Sequence, residues 1–269
     1  MPQYHLQATH IIVERHQPII KDINLTIHAG EVVALLGANG AGKSTLSSVL
    51  AGDIRSNILK KGTVFLNNIE VLNTPEKDLA RYRAVLTQSP SLNFDLSVYD
   101  ILEMGTYPFP ELNKTEVKQI IQQAIEWADI KNIENRIYQT LSGGEQQRIQ
   151  FARILVQLFA LYHPQKAPRY CLLDEPTSSL DPKHQQTLLK TLQKLAHTLN
   201  MGIFIVLHDI NLAALYCDRL ILLAEGKLIA QGTPKEVLTP QNLLQTYGIT
   251  GKTIPHPFIK DKVLVVWCE

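Results

Sequence analysis

The sequence lacks a surplus of charge: 26 lysines and arginines face 25 aspartates and glutamates, a formal net charge of +1. A balance of that size creates no field that gathers nucleic acid, and no basic run interleaved with aromatics supplies a local one. Cysteine is rare. Cys171, Cys217 and Cys268 are far apart, odd in number and outside any C-x-x-C pair, which argues against a zinc site or a disulfide framework and fits thiols in a reducing cytosol. Long apolar runs are missing too. The longest, around Ile154 to Tyr162, is broken by Gln157 and is far too short to span a bilayer. Met1 to His10 has no apolar core, so no signal peptide is expected. No internal repeat or low-complexity tract stands out.

What is present is a chain able to bury a core. Hydrophobic residues make up 45% of its 269 positions, enough for one large α/β domain or two small ones. Ile23, Leu25 and Ile27 alternate with polar residues, and Thr63 to Leu66 runs into an Asn67-Asn68 turn, both strand patterns. Glu31 to Leu36 is a short continuous apolar run that stops at glycine, as suits a strand buried on both faces. A helix is expected from Lys43 to Leu50, ending near Gly52. Asn113 and Glu116 pattern as a capping box ahead of Val117, Ile120, Ile121, Ala124 and Ala128 at helical spacing. A second helix is expected from Ser142 through Phe159, followed by a polar break from His163 to Arg169. Tyr170 to Leu173 and Ile203 to Leu207 read as buried strands, with a helix between them that Asp181 caps and Pro182 opens. Arg219 to Leu223 and Lys227 to Gln231 flank a Glu225-Gly226 turn and read as a hairpin. The segment from Thr239 onward has no firm pattern. The expectation is an α/β nucleotide-binding core with a helical insert at roughly 90–160, the sheet resuming after it.

The chemistry concentrates at strand ends. Gly37, Ala38, Asn39, Gly40, Ala41, Gly42, Lys43, Ser44 and Thr45 fit G-x-x-x-x-G-K-[ST] and follow a strand and precede a helix. In such a loop glycines let backbone N–H groups point inward, and the helix N-terminus adds its positive dipole end. Lys43 would reach the β- and γ-phosphates, and the Ser44 hydroxyl would ligate magnesium. Asp174 and Glu175 end a buried strand, where Asp174 can hold magnesium and Glu175 can polarise the attacking water. His208 ends the next strand and could donate to the γ-phosphate. The other eight histidines show no ligand spacing. Gln88 follows Val85-Leu86 and could reach magnesium or the lytic water; a structural glutamine fits the same position. Ser142-Gly143-Gly144 leaves helix amides uncovered, which suits an anion but equally suits an ordinary capped helix.

Taken in order, these residues resemble the nucleotide-binding subunits of ABC transporters. The phosphate loop matches at Gly37 to Thr45 and the glutamine loop at Gln88. The family signature matches at Leu141 to Glu145, the acidic strand at Cys171 to Pro176, the D-loop at Ser178 to Asp181 and the switch histidine at His208-Asp209. The resemblance implies a phosphate-loop NTPase core with an N-terminal antiparallel β subdomain and the inserted helical subdomain, as a single domain over 1–269 with a C-terminal extension at roughly 239–269. It implies ATP with Mg2+, and a head-to-tail dimer in which Ser142 to Gly144 of a second copy complete each site. It further implies transmembrane permease subunits, indirectly a periplasmic substrate-binding protein, and a peripheral place on the cytoplasmic face of the inner membrane.

A finer similarity is to importers of metal chelates, seen in Asp209 to Ala213, Tyr216 to Arg219, Leu223 to Lys227 and Gly232 to Pro234. Within that group the extended stretch Gln157 to Arg169, and His256-Pro257 ahead of Val263 to Val266, resemble bacterial haem-import ATPases. Siderophore and cobalamin importers are the alternatives, ahead of a soluble ABC ATPase or an exporter motor. Two departures stand out. The usual adenine-stacking aromatic is absent near Glu14-Arg15-His16, where Arg15 or His16 would have to offer a flat face instead. Gly105 to Phe109 also replaces a more basic stretch of the haem group.

Overall fold

A computed structural model describes residues 5–54, 58–87, 95–131, 133–163 and 166–268. The chain begins with two long strands, β1 (His5–Glu14) and β2 (Pro18–His28), then the buried β3 (Val32–Leu36), which feeds the glycine-rich loop and α1 (Lys43–Ala51). β4 (Leu59–Leu66) and β5 (Ile69–Glu70) follow, then α2 (Glu76–Leu79) and β6 (Arg83–Leu86). Three helices come next: α3 (Val98–Glu103), α4 (Lys114–Ala128) and α5 (Gly143–Phe159). β7 (Tyr170–Asp174), α6 (Pro182–Leu199), β8 (Gly202–Val206) and α7 (Ile210–Tyr216) restore the α/β alternation. The hairpin β9 (Arg219–Ala224) and β10 (Lys227–Gly232) then leads to α8 (Pro234–Val237), α9 (Pro240–Tyr247), β11 (Gly251–Pro255) and β12 (Val263–Trp267).

These strands make three sheets. An antiparallel sheet runs β2-β1-β4-β5, a mixed sheet runs β10-β9-β3-β8-β7-β6, and β11 and β12 pair alone. In the mixed sheet only β10 is antiparallel to its neighbour. Each residue of β3 and β8 is buried, because both faces of the sheet are covered. Val33 and Leu35 pack with α1 and the antiparallel sheet through Leu46, Val49 and Leu50. Ala34 and Leu36 turn the other way, toward α5, α6 and α7. This two-sided burial is what the continuous apolar run predicts.

Register then builds an edge. Leu35 pairs with Val206, and Val206 pairs with Asp174, so three strands end in one row. The chain leaves that row at Gly37, Leu207 and Glu175. Loops outside the carboxyl ends of a parallel sheet are where ligands bind in open α/β folds.

The helices start where side chains can satisfy the first amides. Asn113 and Glu116 form a capping box on α4, and Ser142 and Glu145 form one on α5. Asp181 accepts from the His184 amide at 2.9 Å, with Pro182 at the first turn of α6. The segment beyond Thr239, unassigned from sequence, forms α9 and the β11–β12 hairpin. Asn211 on α7 ties that hairpin down, accepting from Val265 N at 2.7 Å and donating to Val265 O at 3.2 Å.

Candidate active site

The loop from Gly37 to Thr45 wraps tightly because glycine is required at its start. A Cβ on Gly37 would lie 2.2 Å from the Leu223 carbonyl oxygen, so no larger residue fits without moving β9. At the other end Gly42 precedes α1 in a left-handed conformation and provides no side-chain cap. The first amides of α1 are therefore left for an outside acceptor, and an anion there also meets the helix dipole.

Lys43 is buried, 5% exposed. Its ammonium donates to Gly37 O at 2.9 Å and Ala38 O at 3.1 Å. Burial pushes its pKa down, and the charges of Glu175 and Asp174 pull it back up. The loop is thus folded around its own cation, which a phosphate can recruit by exchanging carbonyl for phosphate oxygens.

Asp174 ends β7 beside that loop. Burial raises its pKa, although a hydrogen bond from Ser44 and the nearby Lys43 act in the opposite sense. Its Oδ1 is buried with no hydrogen-bond partner. An orphaned carboxylate oxygen next to a serine hydroxyl is a hard-oxygen pair that fits Mg2+. Among the described residues no group of three or more His, Cys, Asp or Glu gathers to hold a metal on its own. Phosphate oxygens would have to supply the rest, as is usual for Mg2+.

Glu175 turns the chain away from the sheet with φ of 51°, in the left-handed region. Its amide donates to Val206 O at 3.2 Å, and its carboxylate meets His208 Nε2 at 2.5 Å. The Glu175 side chain is 11% exposed and that of His208 48%, so the pair straddles the wall and the mouth of the site.

Two adjoining clefts open here. The first, about 370 Å³, is lined by Ile19, Asn39, Gly40, Gly42, Lys43, Ser44, Thr45 and Glu175. The second, about 630 Å³, is lined by Arg15, Ser44, Thr45, Ser48, Asp53, Ile54 and Ile58. Arg15, at the turn between β1 and β2, reaches the second cleft; His16 is not among its lining residues. Asp53, Ile54 and Ile58 went unnoticed in the sequence, where nothing marks them. Another unsignalled residue is Tyr247 of α9. Burial pushes its phenol pKa up to about 12, and the hydroxyl lies by the Gly37 backbone without completing a hydrogen bond.

The signature residues lie elsewhere. Ser142 and Gly143 are exposed, and neither lines the two clefts. The Ser142 hydroxyl is 2.7 Å from Glu145 Oε2. A Cβ on Gly144 would lie 3.0 Å from Ser179 O, so α5 starts close against the 178–181 loop. One copy of the chain therefore brings together Lys43, Ser44, Asp174, Glu175 and His208, and leaves Ser142 and Gly143 exposed away from them. Gln88 lies outside the described residues.

Comparison with known proteins follows the same lines. The family model described as ABC transporter matches residues 20–178. The hemin import ATP-binding protein HmuV of Bordetella pertussis is 48% identical over 97% of this chain and 98% of its own length. A protein of the same name from Hydrogenovibrio crunogenus is 42% identical over 94% of this chain and 96% of its own. Among solved structures, cbiO1 from Clostridium perfringens, part of the ABC transporter complex cbiONQ, superposes with a TM-score of 0.72 at 28% identity, covering 90% of this chain and 93% of that one. The dimeric ABC transporter cassette MJ0796 gives 0.75 at 23% identity over 85% and 98%.

Proposed function

This chain belongs to the ABC transporter family as an ATP-binding, ATP-hydrolysing subunit, and we propose that it drives a bacterial haem importer. The observation that carries the haem assignment is the 48% identity to a hemin import ATP-binding protein along almost the whole of both chains. The resemblance of the stretch Gln157 to Arg169, which starts in the last turn of α5, to haem-import ATPases supports the same reading.

ATP enters with its phosphates in the smaller cleft and its ribose and base in the larger one. Lys43 gives up Gly37 O and Ala38 O for the β- and γ-phosphates, and the free amides of α1 bind the remaining oxygens. Ser44 and Asp174 would hold Mg2+, which supplies charge neutralisation on the phosphates when bound. Glu175 polarises the water that attacks the γ-phosphorus. His208, now paired with Glu175, donates to the γ-phosphate once that oxygen is present. The exposed Ser142 and Gly143, with the half-buried Gly144, complete the site of a second copy, and Gln88 with the helical insert at roughly 90–160 transmits closure to the permease. A substrate-binding protein outside the membrane would deliver the cargo.

Reconstitution with its permease in liposomes tests the cargo. Haem-dependent stimulation of ATP hydrolysis, absent with ferric siderophore or cobalamin, is the expected result. Stimulation by one of those instead would move the assignment within the chelate group.

A further inference from the structure

The connection from α5 to β7 builds something the ATP reaction does not use. A cavity of about 150 Å³ is lined by Arg81, Tyr82, Phe109, Leu161, Tyr162, His163, Lys166, Ala167 and Arg169. Three of these carry permanent positive charge and none carries a carboxylate. Arg169 is only 9% exposed, and both of its hydrogen bonds to backbone leave from Nη1, to Gln157 O at 3.0 Å and Leu158 O at 2.7 Å. Those bonds close the end of α5, and they leave the rest of the guanidinium to the cavity.

Two guanidinium groups lie over one ring. Arg81 is 5.1 Å and Arg169 5.0 Å from the Phe109 centroid. The attraction of each cation for the ring holds it in place, yet it also keeps like charges together. Burial lowers the Arg169 pKa to about 10, and Arg81 adds to that fall. Glu111 pairs with Arg81 but is not among the cavity's lining residues. Glu111 accepts from both Nη atoms of Arg81, and Lys166 also acts on its carboxylate, whereas Arg169 has no carboxylate partner among the cavity walls. Gln157 fixes the other side by donating to Ala80 O at 2.8 Å and Arg83 O at 3.0 Å, which anchors α5 to the chain on either side of Arg81 and Tyr82.

We propose that this cavity is an oxyanion site that takes one carboxylate or phosphate group between Arg81, Lys166 and Arg169. Its size suits a single such group, and guanidinium forks match the geometry of both. The group comes either from free phosphate or from an acidic side chain of the permease.

Titration calorimetry of the full chain with sodium phosphate reads the site, with ADP saturating the phosphate loop and sodium chloride fixing ionic strength. Lys166 is exposed and Arg81 lies outside the ATP clefts, so Lys166→Ala and Arg81→Gln should leave basal ATP hydrolysis unchanged. Both should weaken phosphate binding at least about fivefold, as loss of a charge-assisted hydrogen bond does. A second arm compares permease retention by the wild type and Lys166→Glu. If the permease fills the cavity, phosphate heat disappears in the complex and Lys166→Glu lowers retention. If free phosphate is the ligand, the heat persists in the complex and retention is unchanged. Either pattern supports the site. Equal phosphate heats in wild type and both variants, together with unchanged retention, overturn it. Neither arm involves haem, so failure here leaves the cargo assignment standing.

Discussion

Asp174 is a carboxylate whose surroundings oppose its charge until a cation arrives. Burial raises its pKa above the ordinary 3.8, so the folded chain binds that proton more tightly than the unfolded chain does. The stability this contributes is full below the unfolded pKa and is lost as pH rises through the folded one. Asp174→Asn should therefore melt above the wild type at pH 7 without nucleotide, with the gap closing as pH falls toward about 4. The same variant should lose Mg2+-dependent hydrolysis; a lower melting temperature at pH 7 would contradict a desolvation cost at the unpartnered Oδ1. Arg15 poses a separate question, that of base recognition. It reaches the larger cleft from the β1–β2 turn, and a guanidinium stacked on a base contributes about 1 kcal/mol. Arg15→Ala should weaken ATP about fivefold on that contribution and leave inorganic triphosphate binding unchanged. Equal losses for both ligands would place Arg15 on the phosphates instead. The sequence marked Lys43, Ser44, Asp174, Glu175 and His208 because each ends a strand or opens a helix, a local signal. Asp53, Ile58 and Tyr247 escaped because tertiary contacts bring loop residues and the end of α9 to the site, which no local pattern records.

At the level of elements, legibility follows the same divide. β3, its loop and α1 were readable because burial on both faces writes a continuous apolar run and the turn demands glycine. α4 was readable from its capping box and α5 from the helical spacing that follows its serine start. α9 carries a comparable signal, Thr239 accepting from Asn242 N at 3.2 Å with Pro240 at the first turn, but it is only eight residues long and its apolar face is short. β11 and β12 pair only with each other as strands among the described residues, and α7 and α9 hold them through Asn211 and the Tyr247–Trp267 contact, so their pattern depends on tertiary packing. The α5 N-terminus separates structure from function cleanly. Ser142→Ala removes the cap and should cost about 1 kcal/mol of stability. Ser142→Arg removes the same cap and adds bulk to an exposed surface. If that surface meets a second copy, Ser142→Arg should abolish hydrolysis while ATP binding by the monomer stays normal. Full activity in Ser142→Arg would assign the motif to capping alone.

Among the described residues, Lys43, Ser44, Asp174, Glu175 and His208 gather in one copy, while Ser142 and Gly143 stay apart from them. Lys43 and Asp174 lie at one edge of the mixed sheet, whereas Ser142 lines neither cleft there. In a symmetric head-to-tail pair each site takes its loop from one copy and its signature from the other. Lys43→Ala disables the loop that a copy provides, and Ser142→Arg disables the signature that it lends. Each variant alone therefore has two dead sites per dimer. Mixed in equal amounts, half of the dimers pair one variant with the other. In those, the intact loop of the Ser142→Arg copy meets the intact signature of the Lys43→Ala copy, and the second site carries both lesions. One of two sites in half the dimers predicts recovery to about a quarter of wild-type hydrolysis, for sites that turn over independently. The readout is ATPase rate against mixing ratio at fixed total protein, with a maximum at equal amounts. A flat line at the level of the single variants would mean that loop and signature act within one copy, and the exposed Ser142 would need another explanation.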